Sequence, residues 1–187
     1  MIDAGVAERI GLVVLDADGV LTDGGIYVVD GLGGRPYQLR RFHVRDGMGV
    51  FLLRQAGVEP VVVSGRDSPA VRERARELQI REVHQVAPWE KVPVVERILE
   101  DRRLGWENAA CLADDLADVA VLERAALPAC VADAVPEVRE RSAWIGERDG
   151  GTGAVREFVE ALLRARGDWD QVVERYLARA RGGSAGG

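Results

Sequence analysis

Two aspartates, Asp16 and Asp18, stand two residues apart directly after the apolar run Ile10 to Leu15. Further along, Ser64 follows the run Pro60 to Val63, Lys91 opens a helical pattern, and Asp114, Asp115 and Asp118 follow the apolar stretch Ala109 to Leu112. If those apolar runs are parallel strands, their carboxyl ends lie together, and open α/β sheets gather their ligands there. Acidic positions, one hydroxyl and one lysine then converge on one edge. Crowded carboxylates repel one another unless a cation joins them, so a hard divalent ion such as Mg²⁺ is the economical explanation. Each residue alone has a plainer reading. An Asp after a strand often caps a helix, Ser64-Gly65 makes a strand-to-helix turn, and lysines are mostly solvated. Their shared order and strand-end placement argue for a site.

The elements that must position these residues alternate along the chain. Ile10 to Leu15 is the continuous apolar run of a strand buried on both faces, and Pro60 to Val63 repeats it. Glu82 to Gln85, Ala109 to Leu112 and Ala129 to Ala132 are weaker strands of the same kind. Helical patterns fall between them at Asp46 to Ala56, Ser68 to Gln79, Val92 to Arg103 and Leu116 to Ala125. The alternation predicts an α/β fold, a three-layer Rossmann-like parallel sheet with helices on both faces. One stretch breaks the rhythm: Ile26 to Val29 and Tyr37 to Phe42 read as a hairpin around a glycine-rich tip, Asp30 to Pro36. This insert after strand one, about residues 25–42, is too short for a separate domain. Residues 1–167 then form one domain, and 168–187 a C-terminal helix and flexible tail. Trp169, Val172, Val173, Tyr176 and Leu177 make that helix's apolar stripe, which packs on its own domain or on a partner.

The 187 residues are 47% hydrophobic and 30% charged, which excludes a disordered chain. No apolar run approaches the ~20 residues of a membrane span, and the first residues lack a signal-peptide pattern. A cytoplasmic protein with no membrane association is expected. A net charge of −6 without a basic block argues against nucleic acid as a partner. An anionic substrate needs local cations or a metal to offset that field. Cys111 and Cys130 lack disulfide or metal-ligand spacing, and buried free thiols are expected.

Against this background, Asp16-Ala17-Asp18-Gly19-Val20-Leu21-Thr22-Asp23-Gly24 resembles the first motif of haloacid dehalogenase-type phosphatases. Ser64, Lys91 and Asp114-Asp115 stand at that family's second, third and fourth motif positions, in order, and the resemblance covers roughly Gly11 to Leu163. Phe42-His43-Val44-Arg45-Asp46-Gly47 and Gly150-Gly151-Thr152-Gly153-Ala154-Val155-Arg156-Glu157 are similar to one branch. That branch contains the 3-deoxy-D-manno-octulosonate 8-phosphate (KDO 8-phosphate) phosphatases and related nonulosonate phosphatases.

The resemblance implies a Mg²⁺-dependent, capless phosphomonoesterase acting on a small sugar phosphate. Asp16 would attack phosphorus and Asp18 would act as acid and base. Asp16, the carbonyl of Asp18 and Asp114 would hold Mg²⁺, while Ser64 and Lys91 would bind the phosphoryl oxygens. Asp115 and Asp118 would orient waters or Lys91. Asp18, His43, Val44, Arg45, Asp46, Gly47, Arg66, Arg74 and Lys91 are the implied substrate-binding set. The branch is tetrameric, and a capless site gains its cover from neighbours. A homotetramer paired through the hairpins is therefore expected, with Gly150 to Gly153 reaching into an adjacent site. The sequence departs from the pattern at Ala113 for Gly, His43 for Asn, Phe51 for a basic residue and Thr152 for Arg. Two alternatives stand beside KDO 8-phosphate: a nonulosonate 9-phosphate as substrate, and a non-catalytic receiver-like or regulatory module. A receiver does not need Asp18, because no leaving alcohol has to be protonated.

Overall fold

The structure, a computed structural model, describes residues 1–31, 33 and 36–182; Leu32, Gly34 and Arg35 of the hairpin tip and 183–187 of the tail lie outside the described residues. Leu12–Leu15 (β1) is buried at every position, as a strand covered on both faces must be. It pairs in parallel with Glu59–Ser64 (β4) on one side and Ala109–Ala113 (β6) on the other. Tyr27–Val29 (β2) and Tyr37–Leu39 (β3) form the separate antiparallel hairpin between them. Val83–Gln85 (β5), Leu127–Cys130 (β7) and Trp144–Ile145 (β8) complete a six-stranded parallel sheet of order β5-β4-β1-β6-β7-β8.

The helices are Ala4–Arg9 (α1), Val44–Gln55 (α2), Pro69–Glu77 (α3), Lys91–Asp101 (α4), Val119–Leu122 (α5), Pro136–Arg139 (α6), Ala154–Arg166 (α7) and Trp169–Gly182 (α8). The chain runs outward from β1 to β4 and β5, then from β6 to β7 and β8. Right-handed crossovers therefore put helices of the two halves on opposite faces. On one face α7 packs against α1, α2 and α8, and on the other α4 packs against α5. The expected three-layer α/β fold is present.

Several boundaries move for physical reasons. The first strand starts at Leu12 rather than Ile10, because Ile10 caps the C-terminus of α1. The helix expected over Leu116 to Ala125 is a 3₁₀ turn, Leu116–Asp118, followed by the single-turn α5. Strand β7 spans Leu127–Cys130 rather than Ala129 to Ala132, in register with β6. Helix α7 and strand β8 were not singled out in the sequence. The expected C-terminal helix is α8, which runs to Gly182, and 183–187 of the expected tail lie outside the described residues. The stripe of α8 packs on its own chain: Trp169 and Val172 are buried, and Tyr176 meets Phe51 of α2 edge-on at 5.7 Å. Phe51, which stands where the resembling branch has a basic residue, is thus a packing residue for α8. Cys111 and Cys130 are buried free thiols in β6 and β7.

Candidate active site

Leu15 at the end of β1 lies opposite Val62 of β4 and Leu112 of β6. Asp16 follows directly, and Ser64 and Asp114 follow two residues beyond those partners, so all three leave the sheet at one level. The strand order reverses between β1 and β6, and the crevice at such a reversal is where open α/β sheets bind ligands.

Lys91, the first residue of α4, points its buried side chain into this crevice and is 1% exposed. Its Nζ donates to Asp16 Oδ1 at 2.9 Å and to both oxygens of Asp118 at 2.8 and 2.9 Å. Burial pulls the ammonium down, but Asp16 and Asp118 outweigh it and hold Lys91 above its usual range. The acids remain short of positive charge. Burial and neighbouring carboxylates push Asp114 up to about 8 and Asp118 up to about 7. Burial also keeps Asp16 above its ordinary value despite Lys91. Ligand atoms of Asp16, Asp114 and Asp118 lie within 4.8 Å of one another. Hard oxygen donors, this spacing and uncompensated negative charge fit a divalent cation such as Mg²⁺. Both Asp118 oxygens already accept from Lys91, so Asp16 and Asp114 are the freer ligands.

The elevated carboxyls have a consequence for stability. Asp114 takes protons more readily in the fold than at its unfolded value of 3.8. The ion-free fold is therefore favoured below about pH 4 and loses that advantage as pH rises through about 8. Melting measured in EDTA is expected to shift to lower temperature across that window, with Mg²⁺ raising it more at pH 8 than at pH 5. An equal Mg²⁺ effect at both pH values would contradict this account of the acidic cluster.

The loop after Asp16 is a wide turn, Ala17–Leu21, closed by Thr22 N donating to Ala17 O at 3.0 Å. Thr22 Oγ1 accepts from Gly19 N and Gly24 N, each at 3.3 Å, and donates to Ala17 O. Gly19 has φ +85, and a Cβ there would lie 2.0 Å from Asp114 Oδ2. Only glycine allows both the left-handed turn and the approach of that carboxylate. The loop is sealed from outside by Gly150 and Gly151. Their Cβ positions would lie 1.8 Å from Gly19 O and 2.2 Å from Asp23 N, and Gly151 N donates to Val20 O. The expectation that Gly150 to Gly153 reaches into an adjacent site is corrected for Gly150 and Gly151, which pack backbone to backbone on the loop after Asp16 of their own chain. Thr152 Oγ1 donates to Asp149 O at 2.6 Å. Ala113 is not among the residues of positive φ, so its methyl carries no backbone strain.

Asp18 lies beside two arginines, with Arg40 Nε 3.0 Å from Oδ1 and Arg66 Nε 3.9 Å from Oδ2. Ser64 is buried, and its Oγ accepts from Arg66 N at 3.4 Å. Asp115 is exposed and caps the following turn, accepting from Leu116 N at 2.7 Å. The remaining predicted substrate residues, His43 to Gly47 and Arg74, gather around the N-terminus of α2. His43 caps α2 by accepting from Arg45 N, and its ring faces Gly153. Val44 is exposed, and Arg74 pairs with Glu77 at 3.0 Å, its guanidinium over the Phe42 ring. Gly47 faces Arg74 and Leu78. Arg45 lines a cleft of about 1330 Å³ with Trp144, Arg148, Gly153 and Arg156, a cleft whose lining includes neither Asp16 nor Lys91. Charge and geometry, rather than cleft size, mark the site. Asp46 differs most from its expected role: it is 2% exposed and accepts from Arg156 N at 2.9 Å. It caps the N-terminus of α7, where Gly153 has no side chain to do so. Thr22 was inside the quoted motif without a role, and Arg40 was missed altogether; no pattern around it in the sequence announces its burial.

No family model matches the chain. The curated 3-deoxy-D-manno-octulosonate 8-phosphate phosphatase KdsC of Escherichia coli (strain K12) is 37% identical over 165 residues, covering 88% of this chain and 85% of the relative. Among solved structures, a probable YrbI family phosphatase from Pseudomonas syringae superposes with a TM-score of 0.86 at 37% identity, covering 93% of this chain and 96% of that one. The KDO 8-phosphate phosphatase of Moraxella catarrhalis, solved with magnesium, phosphate and KDO, gives a TM-score of 0.85 at 29% identity, over 92% and 97% of the two chains. With the acidic cluster, the buried lysine and these likenesses together, the chain belongs to the KDO 8-phosphate phosphatase family of haloacid dehalogenase-type proteins.

Proposed function

We propose that this protein is a Mg²⁺-dependent phosphomonoesterase that hydrolyses KDO 8-phosphate to KDO and phosphate. The observation that carries the reading is Lys91 held between Asp16 and Asp118 with Asp114 in reach, and Asp18 two residues beyond Asp16. Asp16, Asp114 and the carbonyl of Asp18 would hold Mg²⁺, which when bound neutralises phosphate charge and polarises the ester. Asp16 attacks phosphorus in line. The ester P–O bond breaks, its electron pair goes to the sugar oxygen, and Asp18 gives that oxygen a proton. Water then attacks the aspartyl-phosphate and passes a proton to Asp18, and the electron pair of the breaking bond returns to the Asp16 carboxylate. Ser64 donates to a phosphoryl oxygen, while Lys91 offsets charge on it and on Asp16.

Arg66 is the ground for preferring KDO 8-phosphate to a nonulosonate 9-phosphate: it follows Gly65, where the resembling nonulosonate phosphatases often carry Glu, and it stands beside Asp18. Released phosphate measured on both compounds with Mg²⁺ is expected to show the higher kcat/KM for KDO 8-phosphate. Negligible turnover of either would overturn the substrate assignment.

Assembly as a homotetramer belongs to the same proposal. Ile26, Tyr27, Val28, Val29, Tyr37 and Leu39 are all exposed. Because neighbours along a strand face opposite ways, Tyr27, Val29, Tyr37 and Leu39 make one apolar face of the hairpin, and Val28 lies opposite Gln38 on the other. A two-stranded hairpin so exposed gains by burial against copies of itself. Light scattering is expected to give four times the chain mass, and a monomer with full activity would contradict it. A cytoplasmic setting is supported by the free thiols; no described helix is long and apolar enough to cross a membrane. In this reading 1–167 is the phosphatase domain, and 168–187 supplies a buttressing helix and tail.

A further inference from the structure

Arg40 lies one residue past β3, at the foot of the hairpin. Both strands of that hairpin are exposed throughout, yet the Arg40 side chain is only 2% exposed. A guanidinium does not shed its charge, so burying one requires an anion or several acceptors. Asp18 is the anion that meets it, with Arg40 Nε 3.0 Å from Oδ1. The other nitrogens reach Leu39 O and Gln38 Oε1 at 3.5 Å each, the outer limit of hydrogen bonding. The ion pair is not aligned for a hydrogen bond. Arg40 Nε and Asp18 Oδ2 are both buried without a hydrogen-bond partner among the described residues.

An unaligned ion pair between a buried guanidinium and the half-buried Asp18 guides the carboxylate without saturating it, leaving its lone pairs for another partner. The backbone under Asp18 is already fixed by Thr22 and by the Gly150–Gly151 seal. The remaining freedom is the direction of the carboxyl itself. Resting on the reading of Asp18 as the acid and base, we infer that Arg40 is a positioning residue that aims the Asp18 carboxyl at the leaving-group oxygen. Arg40 supplies direction and touches neither phosphate nor sugar. The hairpin thereby acts on catalysis within its own chain as well as through any neighbour it pairs with. Asp23, which accepts from Tyr27 Oη at 2.7 Å and lies 3.5 Å from Arg41, ties the same hairpin foot to the same loop.

The test uses two leaving groups on the full chain with Mg²⁺. KDO 8-phosphate releases an alkoxide that needs a proton as it departs, whereas p-nitrophenyl phosphate releases a phenolate that does not. For the aryl ester kcat/KM is complete once nitrophenolate has left, before Asp18 is needed as a base. Arg40→Gln is expected to lower kcat/KM for KDO 8-phosphate about 10- to 100-fold while leaving that for p-nitrophenyl phosphate nearly unchanged, and Arg40→Lys is expected to recover most of the loss. Equal losses on both esters would mean a merely structural arginine, and no loss on either would mean no role; each overturns the inference. A wild-type protein that hydrolyses neither ester would instead remove the phosphatase reading beneath it.

Discussion

Asp16→Asn is expected to abolish phosphate release, lowering kcat by about 10⁴-fold or more, as loss of a covalent nucleophile does. The carboxamide has the carboxylate's shape but does not attack phosphorus. The same change should leave the fold intact. Lys91 keeps both Asp118 oxygens at 2.8 and 2.9 Å, so the ammonium is not orphaned. Asp16 is also the foremost charged neighbour raising both Asp114 and Asp118, so its neutralisation relieves repulsion. Melting in EDTA at pH 8 should therefore be equal to or above that of the parent. A variant that retains turnover would refute the aspartyl-phosphate route, and it would favour a module in which the fold persists without that chemistry.

The second large effect falls on Lys91. Lys91→Met keeps the length and removes the charge, leaving Asp16, Asp114 and Asp118 buried against one another with no ammonium among them. Breaking a buried pair from one side costs about 3–5 kcal/mol, which for a chain of this size lowers the melting temperature by roughly 10 °C. The deficit should be greatest at pH 8 without Mg²⁺. It should shrink at pH 5, where the acids take up protons in place of the lost cation. With Mg²⁺ present, kcat should still fall about 10²- to 10³-fold, because charge developing on the phosphoryl oxygens loses a preorganised partner. The two readouts separate the roles: full thermal recovery in Mg²⁺ with kcat still low identifies an electrostatic contribution to the reaction, and parent-like kcat would deny it.

The parts of the site legible in the sequence were those that the sheet alone dictates. Asp16, Ser64 and Asp114 each end an apolar run, and in a parallel sheet the ends of such runs must meet. Lys91 was legible by its order in the resemblance and by its place at a helix start. What stayed hidden depends on contacts between segments far apart in the chain. Asp46 reads as part of a polar motif, yet one of its oxygens caps the N-terminus of α7. Phe51 read only as a departure from the branch's basic residue until α8 returned to cover it. Arg40 is one arginine among many, and its burial follows from how the hairpin's foot folds beneath its exposed arms. Periodicity finds faces of elements; it does not find which side chain crosses from one to another.

The backbone seal of Gly150 and Gly151 over residues 19–23 also bears on how the protein is made. The loop after Asp16 leaves the ribosome roughly 130 residues before the segment that closes it. At translation speeds of about 5–20 residues per second, the interval is on the order of ten seconds. Until residues 109–113 emerge, β1 also lacks β6, its partner on one side. A nascent chain halted anywhere before Gly151 should carry Asp16 and Asp18 on an unsealed loop and hydrolyse nothing. Activity is therefore expected only once the later segment docks, so a half-made chain should not act on sugar phosphates while still tethered.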